Sequence, residues 1–277
     1  MKTTVGIVNW NSGRLLEECV DSVLRVPDMK VFVLDNHSTD GSTDFLVGPH
    51  ERVTYTASSD NKGFAGGVNR IISGAGTPYV LILNPDVRVT AASIQLMEDF
   101  MESCPRAAAV GGYVGDKYLP RRFPTPWNLA MENLGSPSRP MVVGDNIVRV
   151  EQVAAAAMMI RREAIRNELM FDEEFYPAWY EDVDFCRRLQ RANWEVYFAL
   201  NAKFPHAGGY SVKTMGSQRF LHAYYRNQVR YARKWFRWHE VVLVKASVVL
   251  GMFGRMIARP WNSRGYIKVL FGALFAW

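Results

Sequence analysis

Three unbroken apolar runs each stop at a polar cluster, and this repeated pattern is what most limits the fold. Thr4 to Val8 runs into Asn9-Trp10-Asn11-Ser12-Gly13. Val31 to Leu34 runs into Asp35-Asn36-His37-Ser38-Thr39-Asp40-Gly41-Ser42, and Tyr79 to Leu83 runs into Asn84-Pro85-Asp86. Four or five apolar residues without alternation describe a strand buried on both faces. Helical spacing separates the runs. Arg14 to Leu24 places Leu15, Cys19, Ser22 and Val23 on one side, with Ser12 as its expected N-cap. Asn61 to Asn69 opens a second helix, and Ala91 to Glu102 is a third. Val53 to Ala57, Ala107 to Val110 and Glu195 to Leu200 are further strands, and Val153 to Arg161 is a closely packed strand or a strand-turn. Strands alternating with helices predict an α/β fold, a mostly parallel sheet with helices on both faces. Ligands of such sheets bind beyond the carboxyl ends of the strands, where the polar clusters fall.

The 48% of hydrophobic residues is ample for one large core. Tyr118 to Val143, with Pro120, Pro124, Pro126, Pro137 and Pro140, reads as a long irregular connection. Cys19, Cys104 and Cys186 are odd in number and far apart, with no CxxC pair. That argues against a disulfide framework and a thiolate zinc site, and fits a reducing compartment. The apolar run after Met1 is broken at Asn9, too short for a signal peptide, so a cytoplasmic protein is expected.

The net charge of +6 hides an asymmetry. From Lys213 onward there are twelve Lys and Arg against one acid, Glu240, whereas the preceding residues hold 21 basic and 26 acidic, a balance of −5. A basic tail on an acidic body suits a polyanion, nucleic acid or anionic lipid. Taken as one continuous helix from Gln218, the tail would gather Arg230, Lys234, Arg237, Lys245, Arg255 and Arg259 on an arc of about 80°. Val241 to Ala258 is interrupted by Lys245 and Arg255, which favours lying in a membrane interface over crossing it. Pro260 ends that helix, and Tyr266 to Trp277 would anchor at headgroup level. The alternative is that Val241 to Trp277 packs on the body or forms an oligomer interface. Domain boundaries of 1–212 and 213–277 follow.

Several clusters carry chemistry and also admit simpler readings. Asp35-Asn36 with Asp40 is either an Asx-rich turn or a pair that hydrogen-bonds a base and ribose. The glycines of Asn61 to Asn69 either loosen a loop or let backbone N–H groups approach an anion at a helix start. The segment is neither GxGxxG nor GxxxxGK[ST], which counts against a Rossmann dehydrogenase and a P-loop NTPase. Asp86 either caps a turn or binds a hard cation that also holds a diphosphate. His206, before Gly208-Gly209, is either structural or a metal ligand. Trp179-Tyr180-Glu181-Asp182-Val183-Asp184-Phe185 places three carboxylates within four positions at the start of a helix. The macrodipole favours acids there, and crowding them demands a cation, a donor or a proton.

Five motifs occur in order: Asp35-Asn36-x-Ser38-Thr39-Asp40-Gly41, Asn61-x-Gly63-Phe64-Ala65-Gly66-Gly67-x-Asn69, Asn84-Pro85-Asp86, Tyr180-Glu181-Asp182-x-Asp184 and His206-x-Gly208-Gly209. Over residues 4 to 212 they resemble the family 2 inverting glycosyltransferases of GT-A fold, especially the rhamnosyltransferase-like branch. The resemblance implies a nucleotide-sugar site of Asn9, Asp35, Asn36, Lys62, Gly63, Asn69, Asn84 and Asp86. Asn36 stands where many relatives carry a second Asp. Asn84-Pro85-Asp86 matches the DXD motif, with Asp86 retained as the contact for Mg2+ or Mn2+ and His206 as a second ligand. Asp182 matches the catalytic base of the ED motif, with Trp179, Tyr180, Glu181 and Asp184 on the acceptor side. The helix start and the basic residues that follow are expected to lower the Asp182 pKa. Ala154-Ala155-Ala156-Ala157-Met158 replaces a Gly-Ala step bordering the acceptor in relatives.

The implied reaction moves a sugar, most readily L-rhamnose from dTDP-rhamnose, to a hydroxyl of a polyprenyl-linked or polysaccharide acceptor in cell-surface glycan synthesis. UDP-galactofuranose and UDP- or GDP-hexoses are alternative donors. The basic tail would then hold the enzyme on the anionic inner face of the plasma membrane. A nucleotidyltransferase would share the sheet without needing Asp182. A nucleic-acid-binding module would use the tail and leave the acidic clusters idle, so no nucleic-acid partner is expected.

Overall fold

The computed structural model describes residues 2–48, 50–141, 144, 147–165, 169–205 and 215–277. They form two compact units. The first comprises Met1–Arg122, Pro140–Glu173 and Glu181–Tyr210; the second comprises Phe123–Arg139, Glu174–Tyr180 and Ser211–Trp277.

In the first unit the chain runs β1 (Thr3–Asn9), α1 (Arg14–Leu24), β2 (Lys30–Asp35), β3 (Val53–Ala57), α2 (Gly63–Gly74), β4 (Tyr79–Leu83), α3 (Ala91–Ser103) and β5 (Ala107–Tyr113). After α4 (Pro126–Asn133), which belongs to the second unit, come β6 (Ile147–Val150), β7 (Ala157–Arg161), α5 (Glu181–Arg191) and β8 (Glu195–Lys203). One sheet takes all eight strands in the order β3-β2-β1-β4-β7-β5-β8-β6. Only β7 and β6 run against the rest.

The sheet is covered on both faces, and β1 and β4 are buried at every position. Val5 and Ile7 point to one side, into a core with Leu16, Val20 and Val23 of α1 and Ile94, Met97 and Met101 of α3. Gly6 and Val8 point to the other, against α2. A Cβ on Gly6 would lie 2.5 Å from Ile71, and one on Gly67 would lie 2.7 Å from Val8. Gly67 is thus accounted for by close packing of α2 on the sheet. α3 begins with a side-chain cap, the Ser93 amide donating to Thr90 Oγ1 at 3.2 Å. At α1, by contrast, Gly13 is the cap residue and makes no side-chain bond, so the expected Ser12 cap is absent. Ser12 is buried, and only its carbonyl serves the first turn, accepting from the Leu15 amide at 3.2 Å.

One element departs from the expectation of an irregular connection over Tyr118 to Val143. α4 forms inside it, with the Asn128 amide bonded to Thr125 Oγ1 and Pro126 in the first turn, where a missing N–H costs nothing. β6 adds an antiparallel strand to β8.

The second unit consists of α4, residues 174–180 and three helices: α6 (Ser217–Trp235), α7 (Trp238–Ala258) and α8 (Ser263–Phe271). Tyr225, Val229, Val248, Met252, Val269 and Leu270 form its core. A polar network lies beside it: Asn133 Nδ2 donates to Gln228 Oε1 at 2.9 Å and to Ser247 Oγ at 3.0 Å, and Gln228 Nε2 donates to Tyr180 Oη at 3.0 Å. The tail is not one continuous helix: it breaks at Phe236 (φ −118°, ψ 164°), and its second helix ends before Arg259 (φ −141°, ψ 68°), next to Pro260 as expected. The six cations therefore do not share one arc. Lys245 Nζ donates to the Trp277 carbonyl at 2.6 Å, and Arg255 to the Asn133 carbonyl at 2.9 Å.

Candidate active site

The carboxyl ends of β1, β2 and β4 bring three of the polar clusters to one edge of the sheet. Because β7 is antiparallel, its beginning lies at that same edge, with Leu83 paired to Ala157. The next bond beyond the ladder runs from the Asn84 amide to the Ala156 carbonyl at 3.0 Å. One residue earlier, the Ala155 amide points the other way and donates to Asp182 Oδ2 at 3.4 Å. The alanine segment thus joins the Asn84-Pro85-Asp86 turn to the start of α5.

Asp182 is half-buried. Its Oδ1 accepts from the Val183 amide at 2.8 Å, a bond of the first helical turn. Its carboxyl pKa is nevertheless raised, because burial outweighs the donation from Val183 and Ala155. This corrects the expected lowering. The basic residues after it are directed elsewhere, Arg188 Nε pairing with Asp184 Oδ2 at 2.7 Å. Asp184 is wholly buried (0% exposed), so no acceptor reaches it; it anchors α5 instead. Glu181 is buried too, and no hydrogen bond reaches its Oε2. Burial, and then the neighbouring Asp182 charge, push its pKa well above the ordinary value. Both adjacent carboxyls are thus pushed toward the protonated form, Glu181 further than Asp182 because the Asp182 charge adds to its burial.

The nucleotide-side residues divide into those that hold the loops and those that face outward. Asn9 Nδ2 lies within hydrogen-bond distance of Asp35 Oδ1 (2.8 Å), Ser42 Oγ (2.9 Å) and Ser38 Oγ (3.0 Å). Asp35 Oδ2 accepts from the Ser38 amide at 3.0 Å, the Asx-type turn allowed by the sequence. Each Asp35 oxygen retains a lone pair for a further donor. Asn36 is committed to the chain: its Oδ1 accepts from the Lys62 amide and its Nδ2 donates to the Gly63 carbonyl, both at 2.9 Å. Gly63 follows at φ +74°, a left-handed turn into α2 that a β-carbon would strain. Lys62 is exposed, its ammonium 2.9 Å from Asp60. Asn69 is likewise bonded within the chain. Its Nδ2 donates to the Phe171 carbonyl and to Glu173 Oε1, and its Oδ1 accepts from the Phe171 amide, all at 2.9 Å. This carboxamide, 8% exposed, spends both its N–H groups on bracing residues 171–173.

Asp86, 3% exposed, sits in the turn after β4. The Arg88 amide beyond it donates to the Pro205 carbonyl at 2.8 Å, tying this turn to the end of β8. His206 itself lies outside the described residues. Among the described residues no three His, Cys, Asp or Glu side chains gather into a metal site. One buried carboxylate at a strand end is still a sufficient protein share for Mg2+ or Mn2+, which take their other oxygens from diphosphate and water. Cys19 and Cys186 are no substitute: both thiols are buried and pushed up to about 12, chiefly by burial. Tyr118 was not singled out by the sequence. Burial, and then the Asp86 charge, raise its phenol pKa, which places it near that carboxylate. An aromatic residue in a proline-rich connection was its only signal. Trp179 and Tyr180 belong to the second unit. There the Trp179 ring meets Phe220 edge-on at 4.8 Å, and Tyr180 is buried against Tyr224 and Tyr231.

The profile described as glycosyl transferase family 2 matches residues 4–167. The N-acetylglucosaminyl-diphospho-decaprenol L-rhamnosyltransferase of Mycobacterium tuberculosis is 28% identical over 241 residues, covering 74% of this chain and 75% of that protein. A mannosyltransferase from Pyrobaculum calidifontis, solved with GDP-Man and Mn2+, superposes with a TM-score of 0.62 at 12% identity, covering 99% of this chain and 87% of that one. The structure of GalNAc-T7 with UDP, GalNAc and Mn2+ gives 0.67 at 11% identity, covering 100% and 56%. The likeness to these solved structures is one of fold, and the fold is GT-A. Since the profile spans more than half of the sequence and takes in the carboxyl ends of β1, β2 and β4, the chain belongs to glycosyl transferase family 2 and is a glycosyltransferase.

Proposed function

We propose that this enzyme transfers L-rhamnose from dTDP-rhamnose to a hydroxyl of a lipid-linked or polysaccharide acceptor, with inversion, at the inner face of the plasma membrane. One observation carries the mechanism: the half-buried Asp182 is joined through Ala155 and Ala156 to the Asn84-Pro85-Asp86 turn. Donor and acceptor class rest on the M. tuberculosis relative, whose name specifies a rhamnosyltransferase acting on a diphospho-decaprenol glycan.

Asp182 Oδ accepts the proton of the acceptor hydroxyl as that oxygen attacks the anomeric carbon from the side opposite the diphosphate. A single displacement inverts the centre. The raised pKa makes Asp182 a stronger base than an exposed aspartate once it is ionised. The buried Glu181 beside it favours the protonated form and so spares Asp182 a second adjacent charge. Asp35 and the loop fixed by Asn9 and Asn36 hold the nucleoside. Asp86 and His206 would hold Mg2+ or Mn2+, which supplies charge neutralisation for the departing diphosphate.

The test is a donor screen that reads nucleoside diphosphate release with and without Mg2+ or Mn2+. The panel includes dTDP-rhamnose, UDP-galactofuranose and UDP- and GDP-hexoses. Release from dTDP-rhamnose above all others is expected. Turnover of a hexose donor alone would replace the rhamnose assignment, and release of pyrophosphate instead would point to nucleotidyl transfer.

A further inference from the structure

Among the described residues, eleven of the seventeen large apolar side chains that stand exposed fall between Trp238 and Trp277. They are not scattered. α7 buries Val244, Ser247, Val248, Gly251 and Met252 within its own unit. On its outer side Leu250, Phe253 and Ile257 are 61%, 52% and 86% exposed. At 100° per residue these three, with Val242 and Ala246, share an arc of about 80°. Trp238 and Trp261, at the two ends of α7, are 79% and 81% exposed. α8 and the helical turn Gly272–Ala276 that follows it repeat the pattern, turning Ile267, Phe271 and Phe275 outward at intervals of four. A contiguous apolar stripe of this kind marks an interaction surface.

Charge selects the partner. Arg233 and Arg237 are exposed just before α7, and Arg259, Arg264 and Lys268 after it. The one acid of the tail, Glu240, is committed to the helix start, where its Oε2 accepts from the Arg237 amide at 2.8 Å. A second copy of this face would set cations against cations, whereas anionic lipid satisfies both the stripe and its basic rim. The inner side of α7 decides the orientation. The helix has 21 residues and a mean hydropathy of 1.8, enough to cross a bilayer. Crossing would strip it from α4, to which it is bound through Ser247 and Arg255, and against which a β-carbon on Gly251 would come within 2.2 Å of the Asn133 carbonyl.

We propose that the outer stripe of α7, continued by α8, inserts into a single leaflet of an anionic membrane with α7 parallel to the membrane plane. The inference deepens the peripheral-membrane part of the proposed function and rests on it. It replaces the single basic arc with an apolar face bordered by cations.

The experiment is flotation of the full chain with sealed vesicles of phosphatidylcholine alone or mixed with phosphatidylglycerol. Wild type is compared with the triple variant Leu250→Glu, Phe253→Glu, Ile257→Glu. All three side chains are exposed, and thermal melting verifies that the variant folds. Wild type should float with the anionic vesicles and the variant should bind about tenfold more weakly or worse. Brominated lipid should quench tryptophan fluorescence of the wild type only. A C-terminal tag should stay open to protease added outside the vesicles. Equal flotation of variant and wild type would overturn the proposal, as would protection of the tag, which would show a crossing helix. A wild type that does not float but sediments as a dimer, made monomeric by the variant, would assign the face to a second copy. Nucleoside diphosphate release on the same samples separates the two readings. Turnover without flotation sinks the membrane inference alone, and flotation without turnover by any donor sinks the enzymatic reading alone.

Discussion

The Ala155 amide meets Asp182 Oδ2 at 3.4 Å, while the next residue's carbonyl accepts from the Asn84 amide at 3.0 Å. Two backbone groups on consecutive alanines thus link Asp182, the proposed base, to the turn that carries Asp86. This gives the alanine run a positional role: its main chain, more than its side chains, sets the separation of the two carboxylates.

The raised pKa of Asp182 sets the acid limit of transfer. Proton acceptance needs the ionised form, so kcat/KM should fall as pH drops through the Asp182 pKa, at a midpoint above the ordinary 3.8. A pH–rate profile with saturating metal checks this. An acid limb at or below the ordinary value would mean that burial does not govern the base.

Glu181 predicts a stability change of opposite sign to the usual carboxylate. Its folded-state pKa lies above the unfolded one, so its stabilising contribution is complete below the unfolded value and is lost as pH rises through the raised folded value. The wild type should therefore lose melting temperature relative to Glu181→Gln as pH increases across that interval. Parallel melting curves for the two proteins at every pH would contradict the buried, protonated acid.

Asn36 should not tolerate the Asp that many relatives carry. Its Nδ2 donates to the Gly63 carbonyl, and a carboxylate there would set oxygen against oxygen. Asn36→Asp should cost about 1–3 kcal/mol in urea unfolding and raise KM for the donor, because the Lys62-Gly63 turn loses its clamp. Unchanged stability would show that the loop is held by other bonds.

Metal dependence should follow Asp86. Chelation should abolish transfer, and Mn2+ or Mg2+ should restore it. Asp86→Asn should lower kcat/KM by about a hundredfold or more and raise the metal concentration needed for half activity. Full activity in the presence of chelator would remove the metal from the mechanism.

The sheet was legible because its signals are local. Tyr79 to Leu83 and Val53 to Ala57 read as strands at the bounds they take, and Arg14 to Leu24 as the helix it is. The break at Phe236 was not legible, whereas Pro260 did mark the end of α7. Neither Phe236 nor Arg237 is a helix breaker, and the second helix starts from the Arg237–Glu240 cap. α4 had its signal in Thr125-Pro126, hidden among prolines that favoured an irregular reading. The intrachain bonds of Asn36 and Asn69 were hidden for a different reason. Their partners lie 26 to 104 residues away, and spacing along the chain says nothing about which carboxamide the fold consumes. The Asp182 pKa failed similarly: the helix start was visible, but the burial that outweighs it was not.

The most direct test of the mechanism compares Asp182→Asn with wild type in two assays on one preparation, nucleotide-sugar binding by calorimetry and glycosyl transfer to acceptor. The account predicts that transfer falls by about a hundredfold to ten-thousandfold while donor affinity stays within about threefold of wild type. Transfer at the wild-type rate by Asp182→Asn would contradict the assignment of Asp182 as the base.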